Sequence, residues 1–180
     1  VRLAVSNSLF PMTWPTPYPM TTKLYLGGDD TRLDLPVIPN VQRKAPAFRA
    51  PEPRERRTDI RHLGNAPWPQ GFYEWKRDLW TTKTSVEWKG YGDSEIKRSR
   101  YHSWERNYYE TNDQKPAESR FSGEAGHRID TEGRTIEFKT TLEVQSDAQN
   151  FFVTVTRYIS ENGKLLRQRE WKETILRMFN

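Results

Sequence analysis

The chain has 180 residues, no cysteine, and a net charge of +5 from 29 basic and 24 acidic residues. The missing cysteines exclude disulfides, thiolate catalysis and zinc–thiolate sites, and no apolar run approaches the roughly 20 residues of a membrane-spanning helix. Hydrophobic residues are only 34%, yet 13% aromatics supply bulk for a folded domain, and the interleaved charges argue against a nucleic-acid-binding stripe.

Val1 is followed directly by the alternating stretch Arg2-Leu3-Ala4-Val5-Ser6. A first strand without a neighbour leaves backbone donors and acceptors open. The expectation is a C-terminal piece of a larger protein, with Leu3, Val5, Phe10 and Trp14 packing on a missing N-terminal domain or on another chain. A homo-oligomer would serve the same purpose. Residues 1–39 read as an opening strand, a Pro-rich crossing and a hairpin, with arms at 22–26 and 32–35 around Gly27-Gly28-Asp29-Asp30. No helical pattern follows these glycines, so they form a turn and not a phosphate loop.

Residues 40–67 hold Pro46, Pro51, Pro53 and Pro67 around Arg54-Glu55-Arg56-Arg57. They lack any period and read as linker. Residues 68–180 read as an antiparallel β domain. A hairpin is expected around Thr81-Thr82, a turn at Lys89-Gly90-Tyr91-Gly92-Asp93, and extended chain over 95–109. Gly123 and Gly126 mark a bulge or a close backbone approach in the strand at 120–129. A turn follows at Asp130-Thr131-Glu132-Gly133. Ile136, Phe138, Leu142 and Val144 share one face, as do Phe151, Val153, Val155 and Ile159. Asn162-Gly163 is the strongest hairpin signal in the chain.

In the last strand Leu165, Trp171 and Ile175 share a face with Arg167, Arg169 and Glu173, so neither face is cleanly apolar. The fold class is therefore all-β: an antiparallel meander forming a curved sheet, a sandwich or a partial barrel. Arg/Glu ladders across strands account for the charges. The competing reading is a site for a small apolar or anionic ligand, with Trp75, Trp88, Tyr101, Arg167, Arg169 and Trp171 as its residues. The aromatics between Trp68 and Tyr109 serve mainly as core and interface.

The segment Leu3-Ala4-Val5-Ser6-Asn7-Ser8-Leu9-Phe10-Pro11, then Trp14-Pro15-Thr16-Pro17-Tyr18-Pro19 and Leu33-Asp34-Leu35-Pro36-Val37, resembles the end of the C-terminal jelly roll of cocaine-esterase and X-Pro dipeptidyl-peptidase type serine hydrolases. The resemblance continues through Arg77-Asp78-Leu79 with Thr81, Ser146-Asp147-Ala148 with Phe151, Glu161-Asn162-Gly163-Lys164, and the terminal run from Arg169 through Trp171, Glu173 and Ile175 to Arg177. Thr82-Lys83 and Leu176 depart from the family pattern. The resemblance implies an accessory domain that supports an α/β-hydrolase domain by packing or assembly. No serine elbow occurs here, and His62, His102 and His127 are scattered without metal-ligand spacing. No catalytic residue, metal or cofactor is expected in this chain, and a cytoplasmic location is expected.

Overall fold

Long alternating stretches separated by tight turns give eight antiparallel strands in this computed structural model, which describes residues 9–18, 21–28, 32–35, 46–52, 59–63 and 71–178. They are β1 (Ile60–His62), β2 (Phe72–Asp78), β3 (Lys83–Ile96), β4 (Ser99–Asn112), β5 (Arg120–Thr131), β6 (Arg134–Ser146), β7 (Asn150–Glu161) and β8 (Lys164–Leu176). No helix occurs among the described residues. From β3 to β8 each strand pairs with the next, while β1 and β2 share the outer edge of β3. The sheet is curved and unclosed, with β8 as its far edge. Strands β3 to β8 run 12 to 14 residues. At about 3.4 Å per residue each spans roughly 40 to 48 Å.

The turns follow local chemistry in most places. Asn162 and Gly163, with φ of 50° and 78°, close the β7–β8 hairpin as the sequence reads. Asn162 Oδ1 also accepts a hydrogen bond from the Thr135 amide at 2.8 Å. Glu132-Gly133 joins β5 to β6, with Gly133 at φ 74°. In the β2–β3 turn, Asp78 Oδ1 accepts from the Trp80 amide and Asp78 Oδ2 from the Thr81 hydroxyl.

Several expectations are corrected. Residues 89–93 are not a turn but the middle of β3. A Cβ at Gly90 would lie 2.9 Å from Glu105 Oε1, and one at Gly92 would lie 2.7 Å from Ser103 Oγ. These glycines make room for β4 side chains instead of bending the chain. Residues 95–109 are not continuous either. Lys97-Arg98 makes a tight turn, with Lys97 at φ 56°. Lysine does not favour that conformation, so the long pairing on either side imposes it.

The strand at 120–129 is unbroken, and Gly126 does mark a close approach. The Trp104 ring lies 2.2 Å from the point a Cβ would occupy there. Residues 60–62 form a strand inside the stretch read as linker. The expected arms at 22–26 and 32–35 are not strands; both are exposed and outside any ladder. Two short arms without a third strand are marginal in water. The chain divides into two compact units, Val1–Pro19 with Thr58–Asn180, and Met20–Arg57. Leu3, Val5, Arg54, Arg56, Arg57 and Trp68 lie outside the described residues.

Residues 9–18 lie against one end of the sheet, where distant segments meet. Trp14 Nε1 donates to Ser146 Oγ at 2.9 Å, and its ring meets Phe151 edge-on at 5.7 Å. Phe10 meets Tyr109 edge-on at 6.2 Å. Arg177 is only 6% exposed. It donates to the carbonyls of Asp147 at 2.9 Å, Pro15 at 2.5 Å and Ala117 at 3.4 Å, and it stacks over Phe151 at 4.8 Å. Trp14-Pro15, Ser146-Asp147, Phe151 and Arg177 all belong to the motifs that carry the hydrolase resemblance. Here they build one structural junction.

Candidate binding face

Register decides which side chains share a face, because directly paired residues point the same way. Starting from Val86 in β3, the row runs to Tyr109, Phe121, Val144, Val153 and Glu173. A neighbouring row holds Asn107, Gly123, Leu142, Val155 and Trp171. A third runs through Ser103, His127, Phe138, Ile159 and Arg167. This face is mostly apolar through β3 to β7. The mixture read in the last strand is therefore a property of β8 and not of the whole sheet, and Leu165 is not part of it, because the irregularity at Ile159/Ser160 pairs it with Ser160 of the other face.

The opposite face is charged and largely satisfied by pairs across and along its strands. Glu87 binds Arg106 at 2.6 Å and Lys89 at 3.1 Å. Glu110 binds Lys83 at 3.1 Å and accepts from the Tyr108 hydroxyl at 2.9 Å. Asp93, whose side chain is 1% exposed, takes both Arg100 Nη2 at 2.6 Å and Arg100 Nε at 3.1 Å. His102 lies between Asp93 at 3.5 Å and Asp130 at 3.2 Å, and Arg128 holds Asp130 at 3.0 Å. The Arg100 hydrogen bonds hold the Asp93 carboxyl below its ordinary range, against the opposing effect of burial. The polar groups here are committed to one another, and the arrangement is a ladder that stiffens the sheet.

Among the described residues, the apolar face has no equivalent cover. Val86, 2% exposed, is the one apolar side chain fully buried among the described residues. Trp75 is 54% exposed, and Tyr73, Tyr101, Phe138 and Ile175 are also exposed on this face. Phe10 and Trp14 reach only its Tyr109–Phe151 end. Both are half-buried within this chain.

All six residues singled out in the sequence fall on this face, in two groups. Trp75, Trp88 and Tyr101 sit on β2, β3 and β4, where Trp75 pairs with Val86, Trp88 with Tyr73, and Tyr101 with Ser94. Arg167, Arg169 and Trp171 sit on β8, four strands beyond Tyr101. At about 4.8 Å per strand the groups stand roughly 20 Å apart along the sheet, so they do not form one site.

The β8 group has a member that the sequence reading missed. Arg157 of β7 lies directly opposite Arg169. Its guanidinium carbon is 6.0 Å from the centre of the Trp171 ring, and that of Arg169 is 4.8 Å away. With Ile159 and Arg167 these residues line a cleft of about 150 Å³. The expected Arg/Glu ladder is absent at Arg167 and Arg169, whose partners are Ile159 and Arg157. The signal was present: Arg157 interrupts the apolar row Val153, Val155, Ile159.

A second hollow, about 410 Å³, lies beside Gly90 and Gly92 and includes Ser103, Glu105, Ala125 and His127. It adjoins the edge of β3 left between the β1 pairing at Ser94–Ile96 and the β2 pairing at Lys83–Lys89. Among the described residues, no group of three or more His, Asp or Glu side chains is placed to hold a metal ion. No family model, curated protein or solved structure matches the chain.

Proposed function

We propose that this chain acts by contact, and that its working surface is the apolar face of the sheet, which covers a second folded protein surface. The observation that carries the reading is the contrast between the two faces. One is laced with its own ion pairs and exposes Phe152 and Leu176 only at its β7–β8 side, while the other exposes Tyr73, Trp75, Tyr101, Phe138 and Ile175 across the sheet. Six strands about 4.8 Å apart and roughly 40 Å long offer about 1,000 Å². A stable interface needs about 800 Å² from each partner.

The motif resemblance supplies a candidate partner, the α/β-hydrolase domain of a cocaine-esterase or X-Pro dipeptidyl-peptidase type enzyme. Under this reading the present chain is its C-terminal accessory part. The test is the intact mass of the protein from its native source, read with the coding sequence upstream of Val1. A mass well above 21.3 kDa with an upstream Ser-Asp-His domain supports the reading. A native mass of 21.3 kDa with no such domain sinks the hydrolase partner.

One observation favours a second reading, in which the face binds a small apolar or anionic ligand. Arg157, Arg167 and Arg169 project from the apolar face around Trp171. Like charges set opposite each other repel, and an anion held among them would relieve that repulsion.

A further inference from the structure

We propose that the cleft between β7 and β8 binds a phosphate monoester carried on an alkyl chain, with Arg157, Arg167 and Arg169 holding the phosphate and the chain lying along the neighbouring apolar row. The proposal rests on the second reading above and gives its ligand a chemical class.

Three observations converge. Arg157 and Arg169 are directly opposed across β7 and β8, and Arg167 precedes Arg169 on the same face. Like charges directly opposite each other destabilise a sheet. Many other cations of this sheet are met by carboxylates, as at Arg100–Asp93, Arg106–Glu87 and Arg134–Glu161. None of these three guanidiniums has an ion-pair partner among the described residues. No residue paired with them carries a negative charge: Ile159 lies opposite Arg167, Arg157 opposite Arg169, and Thr140 opposite Arg157.

The charge count selects the ligand. A single carboxylate would leave two guanidiniums unmatched. A phosphate monoester brings about −1.5 to −2 charges at neutral pH and three acceptor oxygens. The planar guanidinium fork matches it in bidentate geometry. The surroundings select the rest of the molecule. Trp171, Val155, Val153 and Leu142 continue the face away from the arginines. An alkyl chain laid there gains about fourfold in affinity per buried methylene.

Titration calorimetry of the full chain tests this, with octyl phosphate below its micelle concentration, octanol and inorganic phosphate as probes. Octyl phosphate is expected to bind at least tenfold more tightly than either half alone. Decyl phosphate is expected to bind about 15-fold more tightly again, if both added methylenes are buried. Arg157→Gln and Arg169→Gln are each expected to cost tenfold or more for octyl phosphate, and Lys172→Gln on the other face nothing. All three sites are exposed, and unchanged far-UV circular dichroism confirms folding. Equal affinity for inorganic and octyl phosphate would overturn the alkyl part, leaving an anion site and the second reading intact. Equal affinity for octanol and octyl phosphate, unaffected by the arginine variants, would overturn the phosphate part and leave an apolar site. Binding of none of the probes would overturn the proposal and the second reading together.

Discussion

Arg177 joins three segments that are far apart in sequence, so its removal should have a large and legible effect. Its guanidinium donates to carbonyls at Pro15, Ala117 and Asp147, and these come from the N-terminal arm, the β4–β5 loop and the β6–β7 loop. Hydrogen bonds from a charged donor contribute about 1.5 to 3 kcal/mol each, and the contributions are not additive. The Ala117 contact is long at 3.4 Å and counts least. Burying the guanidinium costs part of this gain. The net effect of Arg177→Ala is therefore about 3 kcal/mol, or roughly 10 °C in melting temperature for a domain of this size. Arg177→Lys keeps a charge but loses the fork, and should fall about halfway between. Arg167→Gln, exposed on β8, should stay within about 0.5 kcal/mol. Thermal and urea unfolding followed by circular dichroism reads all three. The Arg177→Ala variant should also release Trp14, detected as faster proteolysis within residues 9–18. A change below about 2 °C with the arm still protected would refute the role given to this residue.

Further expectations concern the sheet. Gly126→Val drives a side chain into the Trp104 ring, which lies 2.2 Å from where a Cβ on residue 126 would stand, and should lower stability by about 2 kcal/mol or more in urea titration. Asn162→Ala loses both a left-handed turn residue and the bond to the Thr135 amide, and should cost about 1 to 2 kcal/mol; Asn162→Gly should cost less. Asp93 has its carboxyl held below the ordinary 3.8 by Arg100. Its stabilisation is complete above that value and is lost as pH falls through the lower folded value. Urea midpoints between about pH 6 and pH 2.5 should fall more steeply for the wild type than for Asp93→Asn, and parallel curves would contradict this.

The strands were legible where alternation is long and turns carry glycine or asparagine. Ile136, Phe138, Leu142 and Val144 marked a face by spacing alone, and Asn162-Gly163 marked a hairpin. Gly90 and Gly92 misled because glycine signals both turns and close approach, and only the β4 side chains opposite separate the two. Lys97-Arg98 carries no turn chemistry at all. The junction of Trp14, Ser146 and Arg177 depends on contacts between segments more than 130 residues apart, which no local window contains. The six candidate residues were chosen by type, and the register put them on one face but in two groups. Arg157 stood in an apolar row and was passed over because its neighbours fitted the pattern so well.

Carbene footprinting of the chain, kept monomeric by dilution and read by mass spectrometry, bears on the apolar face without any partner in hand. If that face is the working surface and nothing in this chain covers it, Trp75, Tyr101 and Phe138 should label strongly while Val86 stays protected. If Trp75, Tyr101 and Phe138 are as protected as Val86 in the monomer, the chain covers its own face and the proposed function fails.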